Sequence, residues 1–142
     1  MAYNQAKLAS DLPAGYTYSV FRSGILPDWE DLGNREGGRW MVSFDKKERK
    51  EMLDNRWLEV LYMLLGEQVE EGANKTVVGA EACVRKKGDR LEVWVGNVDR
   101  MEGVVKAGRM LKTKLMLGSE EKIQFSLHRE EKEGGEGAKL ML

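Results

Sequence analysis

Two of the residue types that staple or drive chemistry in small proteins are nearly missing: the chain has one cysteine and one histidine in 142 residues. Cys83 alone closes no internal disulfide, and with only His128 beside it there is no set of zinc ligands. Thiol usage of this kind points to a reducing compartment. An excess of charge of one sign is missing too, since Lys+Arg 23 stands against Asp+Glu 24 for a net charge of -1. That excludes a protein that coats nucleic acid through a general basic surplus. No apolar run approaches the ~20 residues of a membrane span, and the opening residues MAYNQAKLAS lack the apolar stretch of a secretory signal. Proline is scarce (2) while glycine is frequent (16), which suggests many turns and few stiff linkers. With 42% apolar and 33% charged residues, the composition is that of a folded chain rather than a disordered one. The length suits one domain with its own core.

Periodicity and turn residues divide the chain. Residues 1–10 read as the end of a short helix and 11–15 as a loop. Residues 16–22 are aromatic and β-branched, hence a strand. Residues 23–38 form a long loop that holds a tryptophan, and loops of that length are usually functional. Residues 39–44 alternate as a strand. Residues 46–66 form a helix, with Asp45 as N-cap and Gly66 as stop. Strands at 76–86 and 90–95 are joined by a two-residue turn at Gly88-Asp89. A second amphipathic helix covers 98–116, with Asn97 as cap and Met101, Val104, Val105, Gly108, Leu111 and Leu115 on one face. Residues 122–128 form a strand, a charged Gly-rich loop follows, and Leu140-Met141-Leu142 can close a sheet edge. The expected class is α+β, an antiparallel sheet with helices on one face.

A turn at Gly88-Asp89 would set Lys87 opposite Arg90, Arg85 opposite Glu92 and Cys83 opposite Trp94. One face of the hairpin then carries Glu81, Cys83, Arg85, Lys87, Arg90, Glu92 and Trp94. The other carries Val78, Ala80, Ala82, Val84, Leu91, Val93 and Val95 and must take the helices. Arginine and lysine beside a tryptophan suit an anionic, aromatic ligand; a solvated face with an Arg85–Glu92 ion pair is the plain alternative. In the loop, Trp29 and Glu30 are neighbours. An indole face stacks on a base, most strongly a cationic one, and a carboxylate accepts the paired N–H donors of a guanine edge. The plain alternative is a tryptophan folded over the core.

The helix over 46–66 has more apolar residues than one buried stripe needs. Leu53, Trp57, Val60, Leu61 and Leu64 make a core-facing set, and Leu58, Tyr62 and Leu65 widen the arc beside Glu59. Such a width means full burial or a partner.

Several segments taken together resemble one family. They are Gly24-Ile25-Leu26-Pro27-Asp28-Trp29-Glu30-Asp31, Gly37-Gly38-Arg39-Trp40, Trp57-Leu58-Glu59 with Leu64-Leu65-Gly66-Glu67, and Val84-Arg85-Lys86-Lys87-Gly88-Asp89 with Trp94. Tyr16 to Phe21 and Ile123 to His128 fit as well. The chain is similar, over nearly its whole length, to the eukaryotic translation initiation factor 4E family, which binds the mRNA 5′ cap. The resemblance implies a curved antiparallel β-sheet with about three helices on the convex face and a 7-methylguanosine triphosphate ligand on the concave one. It implies that Trp29 stacks on the cationic base, Glu30 reads the guanine edge and Trp94 lies against the N7-methyl group. Arg85 and Lys87 would hold the phosphates, with Arg39, Arg90 and Lys132 as supporting charge. Leu58, Glu59, Tyr62 and Gly66 match a dorsal surface that receives a helical motif from the initiation scaffold factor 4G and from 4E-binding repressor proteins.

Such a protein needs no cofactor and no metal, makes no bond, is not an enzyme, and works in the cytoplasm, with a nuclear presence besides. Relative to the family pattern, the chain is expected to be a single domain, 1–142, that lacks the first strand, part of the first helix, the second stacking aromatic and a dorsal tryptophan. A second reading is therefore a short variant that acts as a protein-interaction or regulatory module with weak or no cap binding. An enzyme built on the acid pair Glu30/Asp31 is a distant third, because sequence neighbours rarely converge on one reacting bond.

Overall fold

A strand sends alternate side chains to opposite faces of its sheet, and this alternation organises the molecule. The computed structural model describes residues 8–22, 36–65, 77–96, 101–128 and 138–142. Its strands are β1 (Thr17–Phe21), β2 (Gly38–Asp45), β3 (Val77–Arg85), β4 (Gly88–Val95), β5 (Gln124–Leu127) and β6 (Ala138–Met141). They form one six-stranded sheet in the order β1-β3-β4-β2-β5-β6, with every neighbouring pair antiparallel. The expectation that the last residues close a sheet edge is met by β6.

Two α-helices lie among the described residues, α1 (Asp54–Leu65) and α2 (Met101–Lys114). The chain enters α1 through a 3-10 turn, Lys46–Glu48, and a wide π-helical turn, Arg49–Leu53. The Asp45 carboxylate caps this entry, accepting the Lys47 N–H at 3.0 Å, as its position before the helix suggested. Both helices pack on one face. Trp40, Val42, Ala80, Ala82, Val84, Leu91, Val93, Val95 and Phe125 from the strands meet Trp57, Val60 and Met63 of α1 and Val104, Ala107 and Leu111 of α2 in a single core. Leu53 joins it from the turn before α1. Leu61 and Leu64, expected in the core, are only half-buried at its margin, and Met63 takes the buried place.

Trp40 joins the sheet to α2. Its side chain is fully buried and its Nε1–H donates to the Val104 carbonyl at 2.9 Å, which satisfies the one polar atom of a large apolar body. Gly108 lets α2 come this close: a Cβ there would sit 2.6 Å from the Trp40 ring.

The β3–β4 turn differs from expectation. Gly88 and Asp89 belong to β4, and the turn is made by Lys86 and Lys87, both exposed. Arg85 therefore lies opposite Gly88, Cys83 opposite Arg90 and Glu81 opposite Glu92. Two contacts favour this register. Asp89 is buried and ion-paired to Arg49 at 2.7 Å, and Gly88 backs so closely on β2 that a Cβ would lie 2.3 Å from the Phe44 carbonyl oxygen. The pairing slides by an even number of residues, so the side chains from Gly79 onward keep their expected faces. At Val78 a bulge breaks the alternation, and Val77, opposite Val95, joins the core where Val78 was expected.

The expectations for residues 1–7, for most of the loop 23–38, for the Gly66 stop and the Asn97 cap, and for the charged loop after His128 fall outside the described residues. Among the described residues, no helix is long and apolar enough to cross a membrane.

Replacing Gly108 with valine forces a branched side chain against a ring that cannot retreat. Overpacking of this kind costs about 1–3 kcal/mol, and the higher helix propensity returns only a fraction of that. Urea unfolding of Gly108→Val should show a lower midpoint with an unchanged slope.

Candidate functional site

The face opposite the helices is built from the alternate residues of five strands. β1 places Thr17, Ser19 and Phe21 there, β3 places Glu81, Cys83 and Arg85, and β4 places Arg90, Glu92 and Trp94. β2 adds Arg39, Met41 and Ser43, and β5 adds Gln124 and Ser126. Local sequence explains the split. In Arg90-Leu91-Glu92-Val93-Trp94 the two aliphatic residues turn to the helices, which sends the other three to the opposite side.

Glu92 stands at the centre of this face. It is fully buried, and its carboxylate accepts the Arg39 Nη1–H at 3.0 Å and the Trp94 indole N–H at 3.0 Å through Oε1. Arg90 Nε lies 2.6 Å from Oε2. That last contact is electrostatic, because the Arg90 Nε–H has no aligned hydrogen-bond partner among the described residues. A buried carboxylate is tolerable only with such company. Across the strand pair, Glu81 faces Glu92. Burial pushes the Glu81 carboxyl up, the Ser19 hydroxyl donating to it at 2.5 Å opposes this, and Glu92 adds to the rise. Burial and then Glu92 likewise raise the Cys83 thiol, which keeps it protonated and unreactive.

Trp94 is held on three sides. Phe21 meets it edge-on with centroids 5.1 Å apart, His128 is tilted against it at 4.3 Å, and Glu92 fixes its N–H. The indole was expected on an open face; it is on that face but buried within it. His128 is buried as well, and burial followed by the Arg39 charge lowers its pKa to about 4. The ring is therefore neutral at physiological pH and sets no positive charge beside the tryptophan.

The expected residues thus fall into four groups. Arg39, Arg90 and Trp94 converge on Glu92. Arg85 ends β3 on the same face, two residues and about 7 Å beyond the residue opposite Arg90, and Lys87 is exposed in the turn next to it. Arg85 does not pair with Glu92, as its place opposite Gly88 prevents it. Trp29, Glu30, Lys132 and Gly66 lie outside the described residues. On the opposite side of the molecule, Leu58 is 44% exposed, Tyr62 54% and Leu65 74%, with Glu59 half-buried among them.

Two groups were missed. Arg49, whose Nε donates to Asp89 and whose Nη2 donates to the Arg85 carbonyl at 2.8 Å, ties the entry of α1 to the strand end that carries Arg85. Phe21 was read only as a strand residue, although its position opposite Gly79 is what lets it reach Trp94. No group of three or more His, Cys, Asp or Glu among the described residues could hold a metal ion.

The histidine yields a direct check. Unfolded, it takes up a proton near 6.5; folded, only near 4. Between these values the unfolded chain binds more protons, so the His128 contribution to stability is present above about 6.5 and is lost as the pH falls toward 4. As the chain has one histidine, its imidazole signals in a proton NMR titration are unambiguous. A midpoint close to 4 is expected, and one between 6 and 7 would contradict the burial.

The model of the family described as eukaryotic initiation factor 4E matches residues 1–140. Human eukaryotic translation initiation factor 4E type 1B is 41% identical over 126 residues, which is 89% of this chain and 52% of the relative. The Xenopus laevis initiation factor 4E is 39% identical over 126 residues, 89% of this chain and 59% of its own length. The chain thus spans little more than half the length of these relatives. Among solved structures, the Ascaris suum eIF4E-3 complex with the m7G cap superimposes with a TM-score of 0.88 at 35% identity, covering 99% of this chain and 76% of that one. The C. elegans eIF4E-3 complex with the 4E-binding protein Mextli and a cap analog gives 0.88 at 33% identity, with 99% and 77% covered. On the strength of the family match over nearly all its residues, together with the six-stranded sheet and the polar face that carries Trp94, the chain belongs to the eukaryotic initiation factor 4E family.

Proposed function

We propose that this chain binds the 7-methylguanosine 5′ cap of mRNA on the polar face of its sheet, in translation initiation, and engages helical segments of scaffold and repressor proteins through α1. The observation that carries the reading is the union of Trp94 with Arg39 and Arg90 around one carboxylate, with Arg85 and Lys87 beyond it, on the face opposite the two helices. The Ascaris suum relative of the same fold was solved with the m7G cap, and the C. elegans one with a 4E-binding protein.

In this reading each part has one task. Trp29 stacks on the purine, which N7-methylation makes cationic, so attraction to the indole exceeds ordinary stacking. Glu30 accepts the N1–H and N2–H of the guanine. Trp94, already immobilised by Phe21 and His128, presents a fixed surface to the methyl group and loses no rotamer freedom on binding. A neutral His128 leaves the cationic base unopposed. Arg85 and Lys87 take the phosphates, supported by Arg39, Arg90 and Lys132. No bond is made or broken, so the role is binding and not catalysis, and its place is the cytoplasm.

On the dorsal side, Leu58, Tyr62 and Leu65 leave an apolar strip open on α1, with Glu59 beside it, and Gly66 is the next residue in the sequence after α1. That strip favours the second activity in its own right: a helical peptide laying its apolar side chains on the helix.

Three outcomes check these assignments. The chain should be retained on immobilised 7-methylguanosine triphosphate and released by the free analogue but not by GTP; absence of retention at micromolar protein contradicts the reading. Arg85→Ala should weaken 7-methylguanosine triphosphate about tenfold, the loss of about one charge-assisted contact, while leaving the nucleoside 7-methylguanosine nearly unaffected. On the other side, a helical peptide with a tyrosine followed several residues on by a leucine should bind, and Tyr62→Ala should weaken it by about tenfold without changing cap affinity.

A further inference from the structure

The polar face contains a group that phosphate recognition does not call for. A site that takes up several negative charges is expected to be lined by donors and cations, yet at its centre sits the Glu92 carboxylate, buried and negative. It holds one N–H of Arg39 at 3.0 Å and lies 2.6 Å from Arg90 Nε. Both arginine side chains remain partly open to solvent, with exposures of 21% and 24%, while their Nε atoms are buried. The Arg90 contact is short but unaligned, so its Nε–H is not committed to a hydrogen bond among the described residues. The negative charge of Glu92 is also felt across the sheet, where it helps to raise the Glu81 carboxyl.

We propose that Glu92 is a resident anion that weakens phosphate binding at Arg39 and Arg90 and thereby limits how steeply affinity rises with the number of phosphates on the ligand. The inference rests on the cap-binding reading for its biological ligand, though not for its chemistry. An entering phosphate meets a carboxylate that already shares both arginines. Like charge at this range inside a protein is only weakly screened, and the phosphate must share or displace the Glu92 contacts to gain its own. The indole N–H bond from Trp94 to the same carboxylate keeps Glu92 in place while the arginines reorient. A carboxylate that merely positioned the arginines for phosphate would act in the opposite sense, since its loss would loosen them and weaken binding.

Glu92→Gln separates the two senses, because the side chain keeps its shape and the indole bond but loses its charge. Calorimetry with inorganic tripolyphosphate at low salt should show the variant binding about fivefold more tightly than the native chain. The gain should be similar for 7-methylguanosine triphosphate and smaller for 7-methylguanosine monophosphate, and Glu92→Asp, which keeps the charge, should show none. Equal, weaker or absent tripolyphosphate binding by Glu92→Gln overturns the proposal. If that variant gains tripolyphosphate affinity while neither protein prefers 7-methylguanosine triphosphate to GTP, the cap reading fails and the role of Glu92 stands. If the native chain selects the methylated ligand and the variant gains nothing, the reverse holds. Should Glu92→Gln not fold, the native chain decides: tripolyphosphate must shift the Arg90 Nε–H resonance, and a stationary signal overturns the proposal.

Discussion

A carboxylate in the middle of a sheet is the constraint on which the rest of this fold depends. Glu92 lies between Leu91 and Val93 on β4, and all three are fully buried. The aliphatic neighbours can face only the helices, so the acid must face the other way and be paired there. Its charged partners come from two strands, Arg90 from its own and Arg39 from β2, and the Cys83 thiol of β3 donates to it at 3.8 Å. Sliding β2 by one residue would carry Arg39 into the apolar core and take Trp40 out of it, with the loss of the indole bond to Val104. One charged residue and one tryptophan, adjacent in sequence, thus lock the register of the central strand pair from both faces.

That lock shapes function on each side. Toward the helices, Trp40 and the space at Gly108 hold α2 close, while α1, anchored by Trp57, Val60 and Met63, keeps Leu58, Tyr62 and Leu65 at the surface. Toward the opposite face, the same alternation gathers Trp94, Phe21 and His128 into a rigid aromatic group. Rigidity there is an advantage for a binding site, since little motion remains to be frozen when a ligand arrives. Arg49 links the two sides by bonding both Asp89 and the Arg85 carbonyl from the entry of α1.

Much of this was legible in the sequence. The period of two in Arg90 to Val95 and in Gly79 to Arg85 divides the hairpin correctly between core and polar face, because the face of a strand residue follows from local alternation; Val78 departs from it, where a bulge puts Val77 in the core instead. What depended on distant partners was not legible. Gly88-Asp89 has the composition of a tight turn, but Asp89 is taken by Arg49, 40 residues away, and the turn moves to Lys86 and Lys87. Arg85 looked like the partner of Glu92; the actual hydrogen-bonded arginine is Arg39, 53 residues distant. The width of the apolar arc on the first helix was visible, but not that Met63 would be buried in preference to Leu61 and Leu64. For Trp29 and Glu30 side-chain chemistry suggests a ligand and the likeness of their segment to a family pattern names it, while for Lys132 and Gly66 as binding residues only that likeness speaks.

The proposed cap binding requires a tryptophan-based site that distinguishes a methylated, cationic purine from an ordinary one. Tryptophan fluorescence during titration with 7-methylguanosine triphosphate, set beside the same titration with GTP and with Trp29→Ala, reads that most directly. Saturable quenching of the native chain by the methylated ligand, much weaker quenching by GTP, and its loss in Trp29→Ala is the predicted result. Equal quenching by both nucleotides, or quenching that survives Trp29→Ala undiminished, would contradict it.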